Sequence, residues 1–310
     1  MSQKKSLSIY FMASLTVAVF FLFSSYTGEK KSAIDNSLPD TSRAKLPQVV
    51  KSIPIDKTFS FAGEIVPTEN FDVFERLDRE LLRDAYWHSS TVLSIKRAKR
   101  FFPVIEKILK EEGIPEDMKY LAVAESSLSN AVSPAGAKGV WQFMNGTGKE
   151  YGLEVNNEID ERYHLEKSTY AACKYLKSLH NKFGNWTMAA AAYNMGGGGL
   201  SKESKTQRSD NYYDLNLNQE TSRYIFRILS IKEIMSRPEA FGFYIEDEEK
   251  YAPLDKYDQI EISASVENWG DFAKKYGTTY RMIKIYNPWL VSSNLTNKAG
   301  KKYMVRLPGE

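Results

Sequence analysis

The segment Pro115-Glu116-Asp117-Met118-Lys119-Tyr120-Leu121-Ala122-Val123-Ala124-Glu125-Ser126-Ser127 places a glutamate on an otherwise apolar helical face. Met118, Leu121, Ala122 and Glu125 fall at i, i+3, i+4 and i+7, the spacing of one side of an α-helix. Gly113 stops the preceding helix, and Pro115 sits where a first helical turn tolerates it. Ser126 to Gly139 is rich in Ser, Gly, Ala and Asn and contains Pro134, so the helix gives way to a loop just after Glu125. The carboxyl is therefore expected to be partly buried at a helix C-terminus, where low polarity and the partial negative charge of the helix end both favour its neutral form.

Working outward, Phe71, Phe74, Leu77, Leu81 and Ala85 recur at three- and four-residue steps, as do Phe101, Ile105, Ile108 and Leu109. Downstream helices are predicted by Ala172, Leu176, Leu179 and Phe183, by Trp186, Ala189, Ala190 and Tyr193, and by Tyr224, Ile228, Ile231 and Met235. Gly196 to Gly199 read as a breaker after the second of these. From Asp258 the pattern changes to a strand-like run, two short helical stretches and a strand-like Tyr303-Met304-Val305-Arg306-Leu307, the order of a separate small module.

Before the helical region, Lys4 and Lys5 precede an uncharged, mostly apolar run from Leu7 to Phe23, and polar residues follow. This is an export signal, and its 17 residues leave both a cleaved signal and a retained anchor open. No cysteine follows the run, which excludes a lipid-modified cysteine. Residues 27–68 are polar with scattered prolines and read as a linker. The expected division is thus 1–26 signal or anchor, 27–68 linker, 69–250 helical domain and 257–310 small module.

Composition narrows the function classes. Forty-two basic and 39 acidic residues leave a net charge of +3 with no long basic run, so nucleic acid is not an expected partner. Cys173 is the single cysteine, and His88, His164 and His180 are far apart, so neither a cysteine-based metal site nor a His-Glu-x-x-His metallopeptidase is expected. No metal or organic cofactor is called for.

Three ordered motifs carry a resemblance. Ala124-Glu125-Ser126-Ser127 is followed by Asn130-Ala131-Val132-Ser133-Pro134-Ala135-Gly136-Ala137-Lys138-Gly139-Val140-Trp141-Gln142-Phe143-Met144, then by Ala191-Ala192-Tyr193-Asn194-Met195-Gly196, then by Glu220-Thr221-Ser222-Arg223-Tyr224. Together they resemble the soluble-type lytic transglycosylases, most closely the membrane-bound lytic murein transglycosylase D group. The resemblance implies a mainly α, lysozyme-like domain with Glu125 at the base of a cleft. It also implies exported, cell-envelope (periplasmic) action on peptidoglycan glycan strands, with membrane association through the N-terminal apolar segment.

The same resemblance suggests roles for individual residues. Ser133 matches a serine that hydrogen-bonds the catalytic carboxyl, in a loop one residue shorter than in many relatives. Gln142 matches a cleft glutamine, Tyr193 and Tyr224 match two cleft tyrosines, and Asn194 matches a sugar or backbone hydrogen-bonder. Trp141 fits cleft and core equally, and Glu220 reads as structural. Gln259 to Pro308 resembles a LysM module, a βααβ fold that binds N-acetylglucosamine-containing glycans, with Asn268-Trp269-Gly270-Asp271 in place of the usual Gly-Asp-Thr-Leu.

Glycosidases ordinarily use two carboxylates, and these motifs hold no matching second one, since Glu220 reads as structural. In the family the sugar's own hydroxyl replaces it as nucleophile, so Glu125 serves as acid and then base. A hydrolytic muramidase using water, and a peptidoglycan-binding protein without turnover, remain open on sequence alone.

Overall fold

The computed structural model of the chain describes residues 51–309. The signal or anchor, and the linker as far as residue 50, lie outside the described residues. Among those described, no helix is long and apolar enough to cross a membrane.

The end of the expected linker is part of the folded body. Strands β1 (Ser60–Phe61) and β2 (Glu64–Ile65) form a small antiparallel hairpin. Phe59, Phe61 and Val66 are buried in the main core. This hairpin also caps a distant helix, since the Glu64 carboxylate accepts from Trp186 N at 2.5 Å and from Thr187 N at 2.9 Å. Three apolar residues among prolines and turns show no period, which is why the segment reads as a tether.

Eight helices follow: α1 (Phe71–Tyr86), α2 (His88–Glu111), α3 (Met118–Ser126), α4 (Asn145–Glu150), α5 (Leu165–Phe183), α6 (Trp186–Met195), α7 (Gly197–Gln207) and α8 (Gln219–Ser236). The apolar face of α1 holds over its later turns, where Leu77, Leu81 and Ala85 are buried, and differs in the first, where Phe71 and Phe74 are exposed and Val73 points inward. Asn70 caps this helix by accepting from Asp72 N. Gly196, with φ +85°, does end α6, but Gly197 to Gly199 form the first turn of α7 and not a loop. A side chain at Gly197 would stand 3.1 Å from Leu179, so glycine there permits close helix packing.

The tail is the expected βααβ unit: β3 (Tyr257–Ile262), α9 (Trp269–Lys275), α10 (Tyr280–Tyr286) and β4 (Tyr303–Pro308), with β3 and β4 antiparallel from Tyr257↔Pro308 to Ile262↔Tyr303. Asn268 caps α9, and fully buried Asn287 ties α10 to β4 through paired hydrogen bonds with the Arg306 backbone. This unit does not hang free. Ile159, from the helical domain, is 1% exposed inside the tail's own core. Around it, Asp160 N donates to Trp289 O, Val291 N donates to Glu158 O, and the Glu158 carboxylate accepts from Asn294 and Thr296. Glu166–Arg306 and Glu154–Lys301 ion pairs flank the contact.

Candidate active site

Glu125 lies in the last turn of α3. Met118, Leu121 and Ala122, one and two turns before it, are fully buried, as their spacing predicts, and Glu125 is half-buried. Helix α3 begins at Met118, with Pro115 to Asp117 forming a tight turn ahead of it. Ser127 and Leu128 then adopt left-handed backbone, φ +51° and +54°, which stops the helix directly after the glutamate. Arg97 of α2 donates to Ser127 O at 3.0 Å and holds that reversal in place.

Burial pushes the Glu125 carboxyl up to about 7, against the Tyr224 hydrogen bond, which pulls it down; nearby Glu220 adds to the rise and Arg227 opposes it. Tyr224, buried in α8, donates its hydroxyl to Glu125 Oε1. Tyr193 of α6 is pushed well above the ordinary tyrosine range by burial and then by the nearby Glu125 charge, but only Tyr224 hydrogen-bonds this carboxyl. The Tyr193 hydroxyl donates to Trp141 O at 2.8 Å and anchors the loop that closes the site. Trp141 resolves to core: it is fully buried, with Nε1 donating to Thr169 Oγ1.

One expected contact takes a different form, and two further expected site residues are also engaged by the protein itself. Ser133 makes no hydrogen bond to Glu125. Its hydroxyl accepts from Ala137 N at 3.0 Å, while Ser133 N donates to Ala137 O, so the side chain closes a tight turn in the shortened loop. Gln142 sits in left-handed backbone, φ +49°, and its amide donates to Ala131 O at 3.1 Å and Gly139 O at 2.7 Å, cross-bracing the loop with both donors. Asn194 donates to Glu220 Oε1 at 3.0 Å and accepts from Thr221 Oγ1 at 2.9 Å, so it orders the start of α8 one turn before Tyr224. Glu220, read as structural, is bound in this way and also acts electrostatically on Glu125.

Sequence reasoning missed the support beneath the loop. Arg162 is 3% exposed, pairs with Asp160 through Nε at 2.8 Å and Nη2 at 2.7 Å, and donates Nη1 to Gly136 O and Phe143 O. A side chain at Gly139, φ +81°, would meet Arg162 O at 1.9 Å, so only glycine fits. The one signal available was an Asp-x-Arg spacing, which is common in turns of no functional consequence. Among the described residues, no cluster of three or more His, Cys, Asp or Glu side chains is placed to hold a metal ion. Cys173 is buried and its thiol is pushed up to about 12 by burial, which fits its reading as an apolar packing residue.

Residues 102–216 match the Transglycosylase SLT domain. The chain carries a transglycosylase SLT domain. Residues 258–310 match the soluble lytic transglycosylase C-terminal LysM-like domain. The SLT match covers Glu125, the loop to Phe143 and Tyr193, and it stops before Tyr224. Over 243 residues the chain is 28% identical to membrane-bound lytic murein transglycosylase D of Escherichia coli strain K12, a span of 76% of this chain and 52% of that protein. The protein of the same name from Escherichia coli O6:H1 matches equally well. The chain thus spans about half the length of the curated relatives it matches. The LysM-like match covers the βααβ tail, and the SLT match covers the helical body from within α2 to the residues before α8.

Proposed function

We propose that the protein is a peptidoglycan lytic transglycosylase that cleaves the β-1,4 bond between N-acetylmuramic acid and N-acetylglucosamine and leaves an anhydromuramic acid end. The observation that carries this reading is the state of Glu125, a half-buried carboxyl raised to about 7 and held by Tyr224. Near neutral pH such a group is present both as acid and as base. As the acid it protonates the departing glycosidic oxygen. As the base it takes the proton from the muramic acid's primary hydroxyl as that oxygen bonds to the anomeric carbon.

Attack by a hydroxyl already tethered to the reacting sugar makes a second catalytic carboxylate unnecessary. The SLT domain and the name of the curated relatives support the same activity. Glu220 acts on Glu125 but is bound by Asn194, which favours a positioning role for it over that of a base for water. The LysM-like domain supports binding of N-acetylglucosamine-containing strands, and the N-terminal apolar run supports export to the cell envelope.

The test is Glu125→Gln, which keeps the shape of the side chain and removes the transferable proton. Release of soluble fragments from purified sacculi should fall by at least about a hundredfold with the folded state retained. Activity near the wild-type level would remove Glu125 from the mechanism.

A further inference from the structure

Glu80 of α1 is fully buried, and its carboxylate meets three guanidinium groups. Arg79 and Arg83 come from its own helix, each at 3.2 Å. Arg223 comes from α8 and donates Nε to Oε1 at 2.7 Å and Nη2 to Oε2 at 3.3 Å, a two-point grip across the helix pair. Two turns further along α8, Ser230 donates to Glu80 O at 3.0 Å. A buried ion pair adds little net stability, because desolvation offsets the attraction; what it supplies best is register, since only one alignment of the two helices satisfies it. Arg223 is followed directly by Tyr224, about 100° further round the helix. The arginine thus grips α1 while the tyrosine donates to Glu125 of α3. Sliding α8 along α1 by one residue would carry the tyrosine hydroxyl about 1.5 Å, enough to break a hydrogen bond whose oxygens must stay within about 3 Å.

We infer that Glu80 and Arg223 are positioning residues for the reaction: their ion pair fixes the register of α8 at the residue beside Tyr224 and so holds the tyrosine hydroxyl on Glu125. Its catalytic consequence rests on the lytic transglycosylase reading. The groups of α8 that act on Glu125 directly are Tyr224, Glu220 and Arg227, and Tyr193 of α6 senses its charge. Neither Glu80 nor Arg223 is among them, so the pair reaches the Glu125 carboxyl through the placement of α8.

The experiment titrates the Glu125 carboxyl in the full chain by carbon NMR of side-chain-labelled glutamate, its signal assigned by its absence in Glu125→Gln. Arg223→Gln removes the guanidinium but leaves Arg79 and Arg83 on the buried Glu80 carboxylate, so that charge is not orphaned. Because the Tyr224 bond favours the ionised form of Glu125, weakening it should raise the Glu125 pKa, by about half a pH unit. Arg223→Lys keeps a cation for Glu80 without the fork of donors, and its value should lie between those of wild type and Arg223→Gln. On the Tyr224→Phe background, Arg223→Gln should add less than about 0.2 pH unit. With short soluble glycan strands, the alkaline limb of the pH–rate profile should follow the NMR value, and kcat should fall about fivefold with KM within about twofold of wild type. An unchanged Glu125 titration in Arg223→Gln, even with a lowered melting temperature, would overturn the assignment and leave the pair a purely structural one. An equal shift on the Tyr224→Phe background would also overturn it. If Arg223→Gln does not fold, Arg223→Lys carries the same two comparisons. A wild-type chain without turnover would defeat the catalytic reading, while the NMR titration still decides whether the pair positions Tyr224.

Discussion

The Tyr224 hydroxyl donates to the Glu125 carboxyl, joining the last turn of α3 to α8 across the site. This bond favours the carboxylate, whereas burial favours the acid, and the balance leaves Glu125 near 7. Removing the bond with Tyr224→Phe should therefore raise the Glu125 pKa further. The alkaline limb of the pH–rate profile should move to higher pH, and the maximal rate should fall because the carboxyl loses its orientation. A limb unchanged in position would show that Tyr224 does not set the protonation of Glu125.

The same carboxyl makes stability depend on pH. Unfolded, it titrates near 4.5, and folded near 7, so between these values the folded state binds more protons. Stability contributed by the neutral acid is present below about 4.5 and is lost as pH rises through about 7, a difference on the order of 3 kcal/mol. Glu125→Gln suffers no such loss. Its melting temperature should exceed that of wild type at pH 8, and the gap should shrink at pH 4.5. Equal differences at both pH values would contradict the raised pKa.

Ser133→Ala tests the turn assignment. Its hydroxyl accepts from Ala137 N, so its removal should cost about 0.5–1.5 kcal/mol of stability. The position of the pH–rate limbs should stay where it is in the wild type. A shift of the limb assigned to Glu125 would mean that Ser133 reaches the carboxyl when substrate is bound.

The tail tests as part of the fold. Ile159→Ala removes a side chain that the helical domain inserts into the tail's core and should destabilise the protein by about 2–5 kcal/mol. Deleting residues 257–310 should lower the melting temperature or cause aggregation, since Ile159 and the partners of Glu158 would be exposed. A truncated chain that melts at the full-length temperature would restore the picture of an independent module.

Local periodicity made much of this molecule legible. The helical face of Met118, Leu121, Ala122 and Glu125, the breaker after it, and the βααβ order of the tail are all written in neighbouring residues. Features that depend on distant partners were not. The cap that Glu64 supplies to α6, the Asp160–Arg162 support under the loop and the insertion of Ile159 into the tail join segments with no shared period. Ser133, Gln142 and Asn194 illustrate a third case. Ser133 closes a turn where the resemblance implies a contact with Glu125, and Gln142 and Asn194 are held by the loop and by the start of α8, because a polar side chain serves a backbone group as readily as a ligand.

The most direct test of the account is the mass of the products released from purified sacculi by the full chain. Intramolecular attack with Glu125 as acid and base predicts muramic acid ends one water lighter than those of a muramidase digest, and none from Glu125→Gln. Products with exclusively reducing muramic acid ends, or light products that persist in Glu125→Gln, would contradict it.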